Sequence, residues 1–230
     1  MVTNQTEVVT ELNRCAEIVT TLMTEESEVA VDAKGVNLGR TGPLTLLQVG
    51  TRDGQAYLFD VHTNKALLTV GYLKDLLEAK NVVKIIHLCR WDSAALIAQF
   101  GVVLNNVFDT RVSLMLNSHT NAALAAQSEV ALNDVFDTRV AHMEVELSKG
   151  NVFPCMLKLS DMCETYGGNS ATLAFKNDVK KDWWMETAAY WASRPLTPEM
   201  IQYAAANVSV LFGLYDNLSR KYVFPETLIG

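Results

Sequence analysis

No stretch of the chain approaches the roughly 18 to 20 consecutive apolar residues a membrane span needs, so no membrane partner is expected. Residues 1–25 lack a basic segment followed by an apolar run. A secretory signal is therefore not expected, and an intracellular setting is. Proline is scarce, 5 in 230 residues, and no Pro/Gly/Ser-rich linker or low-complexity segment divides the chain. With 49% hydrophobic and 20% charged residues there is enough apolar material for one full core, and residues 1–230 read as a single domain. The four cysteines (Cys15, Cys89, Cys155, Cys163) show no CxxC spacing. They read as buried thiols of a reducing compartment rather than as a disulfide framework. Positive charge is also short. A net charge of −7 argues against a surface that grips nucleic acid all round, leaves room for a local basic groove, and favours a protein partner.

What is present reads as alternating secondary structure. Glu7 to Met23 carries Val8, Leu12, Ile18 and Leu22 near helical spacing. Ser27–Lys34, Pro43–Gly50 and Ala56–Val61 read as strands. Asp53-Gly54 between the last two supplies the positive φ of a tight hairpin, so an antiparallel meander is expected. Ala66–Ala79 reads as a helix. Val82–His87 (VVKIIH) has the nearly continuous apolar run of a buried parallel strand. A helix over Asp92–Phe100 and a strand at Val107–Asp109 follow. Thr197-Pro198-Glu199 starts a helix expected to reach about Arg220, with Thr as cap, Pro at the first position and an acid in the first turn. The order predicts an α/β fold: a mixed sheet of about five or six strands, antiparallel meander plus parallel strands, flanked by helices.

One segment occurs twice. Residues 103–112 read VLNNVFDTRV and residues 131–140 read ALNDVFDTRV, eight of ten positions identical at an offset of 28. This is a local duplication, not a solenoid array. Both copies compete for one strand position. The segment IAQFGVVLNN leads directly into the first, so Phe108-Asp109 is expected in the sheet and the second copy outside it. The intervening Ser113–Leu132 carries Glu129 as its only full charge and reads as a packing helix or a contact surface.

Three segments in order resemble the ribonuclease D-like 3′–5′ exonuclease domain, with its ribonuclease H-like sheet. More narrowly they resemble the branch containing the piRNA-pathway exonuclease-like protein and Egalitarian. They are VAVDAKGVNLGRTGPLTLLQVG (Val29–Gly50), KIIHLCRWDSAAL (Lys84–Leu96) and RPLTPEMIQYAAANV (Arg194–Val208), within a resemblance covering roughly Val8 to Lys221. In that family four acids hold two divalent cations. An Asp and a Glu two residues on lie on a strand, where they share a face. Another Asp comes from the second segment. The last stands four residues after a Tyr on a helix, again on one face. The cations clamp the scissile phosphate and activate water.

Carried over residue by residue, the resemblance gives a mixed result. Asp32 matches the first acid, Asp92 the second-segment acid, and Tyr203 the tyrosine. Lys34 stands where the Glu should be and Asn207 where the last Asp should be. The formal charge of the cluster falls from four negatives to one. Asp32 and Asp92 are left as a weak or unoccupied metal pair, and an ammonium between two carboxylates satisfies them without metal. No cofactor is expected; Mg²⁺ or Mn²⁺ is implied only if the enzyme is active.

Other residues keep two readings. Arg90 and Trp91 would contact a phosphate and a base, or else be a solvated arginine and a packing tryptophan. Lys180 and Lys181, in KNDVKK, lie near the substrate channel in the family or form a plain solvated face. His87 reads as a structural core histidine, Trp183 and Trp184 as packing residues, and Asp109 and Asp137 as strand-end acids rather than metal ligands. The expected function is an exonuclease-fold protein without catalysis, serving as an RNA-binding or scaffold component of a ribonucleoprotein. Its expected partners are single-stranded RNA or proteins, or a second copy as a homodimer. The alternative is an active metal-dependent 3′–5′ exonuclease on single-stranded RNA or DNA.

Overall fold

The computed structural model describes residues 5–110, 133–136, 158–166 and 189–221. Its strands are β1 (Thr6–Val9), β2 (Glu28–Gly35), β3 (Leu44–Gly50), β4 (Ala56–Phe59), β5 (Val83–Ile86), β6 (Asn105–Asp109) and β7 (Asn133–Phe136). Its helices are α1 (Leu12–Glu25), α2 (Ala66–Thr69), α3 (Leu73–Glu78), α4 (Cys89–Phe100), α5 (Leu159–Tyr166), α6 (Pro198–Ser209) and α7 (Leu211–Lys221). The strands form one mixed sheet in the order β1-β4-β3-β2-β5-β6-β7. The expected meander is there, β2 and β4 each antiparallel to β3, and β2, β5, β6 and β7 run parallel.

Alternation along β2 divides the core. Val29, Val31 and Ala33 face one side and pack with Cys15, Ile18, Val19 and Leu22 of α1 and with Leu73, Leu76 and Leu77 of α3. Ala30 faces the other side, with Ala205 and Val208 of α6, Leu211, Leu214 and Leu218 of α7, and Met162 and Cys163 of α5. Asp32 and Lys34 share the parity of Ala30 and so belong to the face that α6 and α7 cover. α6 comes close because β3 ends on Gly50, where an added Cβ would stand 2.9 Å from the Val208 side chain.

The structure corrects several expected elements. The helix expected from Glu7 begins only at Leu12; the alternating Thr6-Glu7-Val8-Val9 instead pairs parallel with β4 as an edge strand. The helix expected over Ala66–Ala79 breaks in two. Gly71 passes so close to α1 that an added Cβ would lie 2.9 Å from the Cys15 Sγ, and Tyr72 follows at φ 64°. The Cys15 thiol donates to the Gly71 carbonyl at 3.1 Å, and burial pushes its pKa up to about 12. The helix expected to run to about Arg220 turns at Val210, separating α6 from α7. Cys15, Cys89 and Cys163 are buried; Cys155 lies outside the described residues.

The duplication gives the largest correction. The first copy does occupy the position beside β5, as expected, with Ile85 opposite Phe108 and Ile86 opposite Asp109. The second copy is not outside the sheet. Its residues 133–136 form β7, added to β6 in parallel with Asn105 opposite Asn133, Val107 opposite Val135 and Phe108 opposite Phe136. Each residue pairs with its own duplicate at the offset of 28. With β1 this brings the described strands to seven, one more than the upper expectation. Residues 113–132, Asp137, Lys176–Lys181, Trp183 and Trp184 lie outside the described residues.

Lys84 is the one lysine among the largest fully buried side chains. It lies on the α1/α3 face of β5 and donates to the Ala79 carbonyl and, at 2.8 Å, to the Val82 carbonyl, closing the C-terminal end of α3. Burial pushes its pKa down to about 8 from an ordinary 10.5. Between those values the unfolded chain binds more protons than the folded one, so stability rises with pH there; the penalty is fully present below pH 8. Denaturant unfolding at a series of pH values should show wild type gaining stability relative to Lys84→Met, by up to about 1.4 kcal/mol per pH unit. A flat difference between pH 8 and 10 would contradict this.

Candidate active site

β2 sets the site by placing Asp32 and Lys34 two residues apart on one face, beneath α6. The Lys34 ammonium donates to Asp32 Oδ2. Asn207 of α6 donates through Nδ2 to the same oxygen at 2.7 Å. Tyr203, one helical turn before Asn207 on α6, is buried beside them. The Trp191 ring closes the group: its centroid lies 5.9 Å from Lys34 Nζ and 6.0 Å from the Tyr203 ring. The structure thus brings together the positions that the sequence grouped, 175 residues apart in the chain for Asp32 and Asn207.

Asp92 enters from the first turn of α4 and is 7% exposed. Burial raises its pKa, the negative charge of Asp32 raises it further, and Lys34 works against both; the carboxyl ends well above the ordinary range. Lys34 itself loses by burial, but Asp32 outweighs that loss and holds its pKa above the usual lysine value. The arrangement is therefore Asp32 held by the Lys34 ammonium and by Asn207, with Asp92 pushed toward its neutral form by burial and by the charge of Asp32. The Tyr203 phenol is also raised, by burial first.

These groups can hold one another; they offer little to a divalent cation. Mg²⁺ takes near-octahedral oxygen ligands and leans on carboxylates. Here Asp32 Oδ2 already accepts two donors, one of them a cation, and the pKa of Asp92 is raised, which weakens it as a ligand. Among the described residues no group of three or more His, Cys, Asp or Glu is arranged to hold a metal ion. One atom points the other way. Asn207 Oδ1 is buried without a hydrogen-bond donor, a cost the fold carries at the site.

α4 also carries Arg90 and Trp91, both exposed at the mouth of this region, Trp91 at 51%. The Arg90 guanidinium lies 5.3 Å from the Trp91 ring centroid. The loop after β2 rests against the indole, since a Cβ added to Gly39 would be 3.5 Å from it. Gln99 of the same helix holds that loop, donating to the Gly39 and Gly42 carbonyls at 3.0 and 2.8 Å and accepting from the Leu44 amide at 3.0 Å. The Trp91 indole is thus half-exposed and half-covered by this loop. Lys180 and Lys181 lie outside the described residues.

Three further side chains support the site. Asp109 accepts from the Leu88 and Cys89 amides at 2.8 and 3.0 Å, satisfying N–H groups at the start of the helix that carries Asp92. His87 keeps its structural role, its Nδ1 lying 3.0 Å from Thr110 Oγ1. Arg194 clamps the Trp191 turn to the sheet: Nε and Nη2 engage Asp60 at 2.7 and 2.6 Å, Nη2 also donates to the Thr45 carbonyl at 3.1 Å, and Nη1 to the Trp191 carbonyl at 3.1 Å. The RPLTP segment containing Arg194 was legible as a helix start, but its distant partner Asp60 was not.

The sheet order, the Asp32 pair on β2 and the tyrosine-bearing α6 define a ribonuclease D-like 3′–5′ exonuclease domain. The 3′–5′ exonuclease family model matches residues 6–222, and the chain belongs to that family. Among curated proteins it is similar to piRNA biogenesis protein EXD1. It is 28% identical to the protein from Mus musculus over 191 residues, 83% of this chain and 29% of that protein. It is 41% identical to the protein from Homo sapiens over 92 residues, 40% of this chain and 18% of that protein. The chain thus spans less than a third of these relatives. Among solved structures, Trypanosoma brucei RNase D in complex with RNA U12 matches with a TM-score of 0.66 at 18% identity, covering 99% of this chain and 65% of that one. The catalytic core of RRP6 from the same organism (mutant C496S) matches with a TM-score of 0.63 at 21% identity, covering 96% and 48%. At such identity these two speak for the fold.

The clamp gives a stability test. The Asp60 side chain is 5% exposed. Burial raises its pKa, but the hydrogen bonds from Arg194 and Thr63 outweigh this and lower it overall. Arg194→Ala leaves a buried carboxylate without its cation and should cost about 3–5 kcal/mol at pH 7. Because the folded pKa lies below the unfolded one, the stabilisation is present above about pH 4 and is lost as pH falls through the folded value. Urea unfolding at pH 7 and pH 3 should show the variant well below wild type at the first and closer at the second. A constant gap would contradict the assignment.

Proposed function

We propose that this chain is an exonuclease-fold protein that does not cut, acting as an RNA-binding or scaffold component of a ribonucleoprotein assembly. One observation carries the reading: Lys34 and Asn207 both donate to the Asp32 oxygen that the family turns toward metal. A fixed ammonium supplies charge but no coordination site and no metal-bound water. Without that water and the charge stabilisation of a divalent cation, the largest contribution to phosphodiester cleavage is missing. No cofactor is required in this reading.

Two features support an RNA role. Arg90 and the exposed Trp91 pair a cation with a stacking surface beside the site, a combination suited to an unpaired base and its phosphate. The curated relatives are proteins of piRNA biogenesis, which supports an assembly handling small RNA. The chain's acidity, net −7, fits a protein partner or a second copy as well as a local RNA contact.

A metal-dependent exonuclease is the second reading, and the undonated Asn207 Oδ1 favours it by offering a neutral oxygen. It requires Lys34 to swing away from Asp32 and Mg²⁺ or Mn²⁺ to enter.

The assay separates the two. Wild type incubated with a 5′-labelled single-stranded RNA or DNA and Mg²⁺ or Mn²⁺ should give no ladder, while the RNA remains bound in chelator. The double variant Lys34→Glu with Asn207→Asp returns the two missing carboxylates and should bind Mn²⁺ and regain some activity; neither single change should suffice. Chelator-sensitive laddering by wild type would establish the second reading. For binding, Trp91→Ala should weaken RNA affinity by about 1–3 kcal/mol. Unchanged affinity would remove Trp91 from the RNA surface.

A further inference from the structure

The duplicated segment has no place in the proposed function. We propose that its two copies are interchangeable occupants of the sheet position beside β5, with the first copy favoured, so that the fold holds a strand exchange directly beneath the helix carrying Asp92. Every side chain but one that the first copy uses in that position, Asn106 being the exception, has an identical counterpart 28 residues on. Leu104 and Val107 are buried in the α1/α3 core, and Leu132 and Val135 repeat them. Asn105 donates to the Glu78 carbonyl at 3.0 Å, and Asn133 repeats it. Phe108 packs edge-on against Tyr215 at 4.6 Å, and Phe136 repeats it. Asp109 caps α4 through the Leu88 and Cys89 amides, Thr110 meets His87, and the chain repeats both as Asp137 and Thr138. The match extends one residue upstream: Val102 is fully buried, and Val130 stands in its place.

The register permits the exchange. β6 and β7 lie parallel with Asn105, Val107 and Phe108 each beside its own duplicate. Exchange therefore moves each copy sideways by one strand spacing, about 4.8 Å, with no slip along the strand. It turns no side chain to the wrong face, which a one-residue slip would do.

The two positions that differ set the preference. Val103 contributes its backbone amide, to Glu78 Oε1 at 2.9 Å, so Ala131 in its place changes little. Asn106 stands at φ 50° and donates its side-chain amide to the Lys80 carbonyl at 2.9 Å. Asp134 tolerates the same backbone conformation but, as a carboxylate, has no proton to donate. The first copy is thus favoured by one hydrogen bond.

The α4 cap tests this, because either copy can supply it. Asp109→Ala, Asp137→Ala and the double variant are compared by thermal unfolding of the full chain. Each single change should leave the melting temperature within about 2 °C of wild type, and the double should fall by more than about 4 °C or fail to fold. In the Asp109→Ala background, Asp134→Asn should raise the melting temperature, because it restores the missing donor to the copy then in use. In wild type it should do nothing. If Asp109→Ala alone falls as far as the double, or fails to fold, with Asp137→Ala silent, the copies are not interchangeable. A double variant as stable as wild type also overturns the proposal, since the cap then carries no weight.

Discussion

Asp32 Oδ2 accepts from Lys34 and from Asn207 at once, and the rest of the site is arranged around that shared oxygen. The lysine brings a positive charge to that oxygen. The asparagine ties α6 to the centre of the sheet. With Asp32 so occupied, Asp92 is left buried beside a neighbouring negative charge, and both raise its pKa. Lys34 answers the charge of Asp32 directly, which is why a site short of two carboxylates need not collapse: an uncompensated buried charge there would be costly.

The fold delivers those groups by ordinary means. Period-two alternation on β2 sends Asp32 and Lys34 to the α6 face and Val29, Val31 and Ala33 to the other. Gly50 lets Val208 sit against β3, which brings Asn207 within reach of β2. Asp109, from the strand two places away from β2, satisfies the first amides around the start of α4 and so fixes Asp92, Arg90 and Trp91 relative to the sheet. Arg194 pins the Trp191 turn over Lys34. The Asp109 cap of α4 and the Arg194–Asp60 ion pair thus support the site from outside it.

Much of this was legible before any coordinates. The β2–β3–β4 meander followed from apolar runs and the Asp53-Gly54 turn, and the grouping of Asp32, Lys34, Asp92, Tyr203 and Asn207 followed from spacing within the resemblance. What was missed depends on tertiary context. Thr6–Val9 alternates only weakly, and its pairing with β4 decides its conformation. The break at Gly71 comes from the approach of Cys15, 56 residues away. Residues 133–136 of the second copy join the sheet beside their own duplicate, a pairing no local propensity encodes. Trp191 and Arg194 gain their roles from partners far off in the chain.

The central claim is that Lys34 holds the place of a cation at Asp32. Crystals soaked in Mn²⁺ and measured for anomalous scattering test it directly. The account predicts no anomalous peak between Asp32 and Asp92 in wild type, with the Lys34 ammonium against Asp32, and a peak there in the Lys34→Glu, Asn207→Asp double variant. A Mn²⁺ ion bound to Asp32 in wild type, with Lys34 turned away, would contradict it.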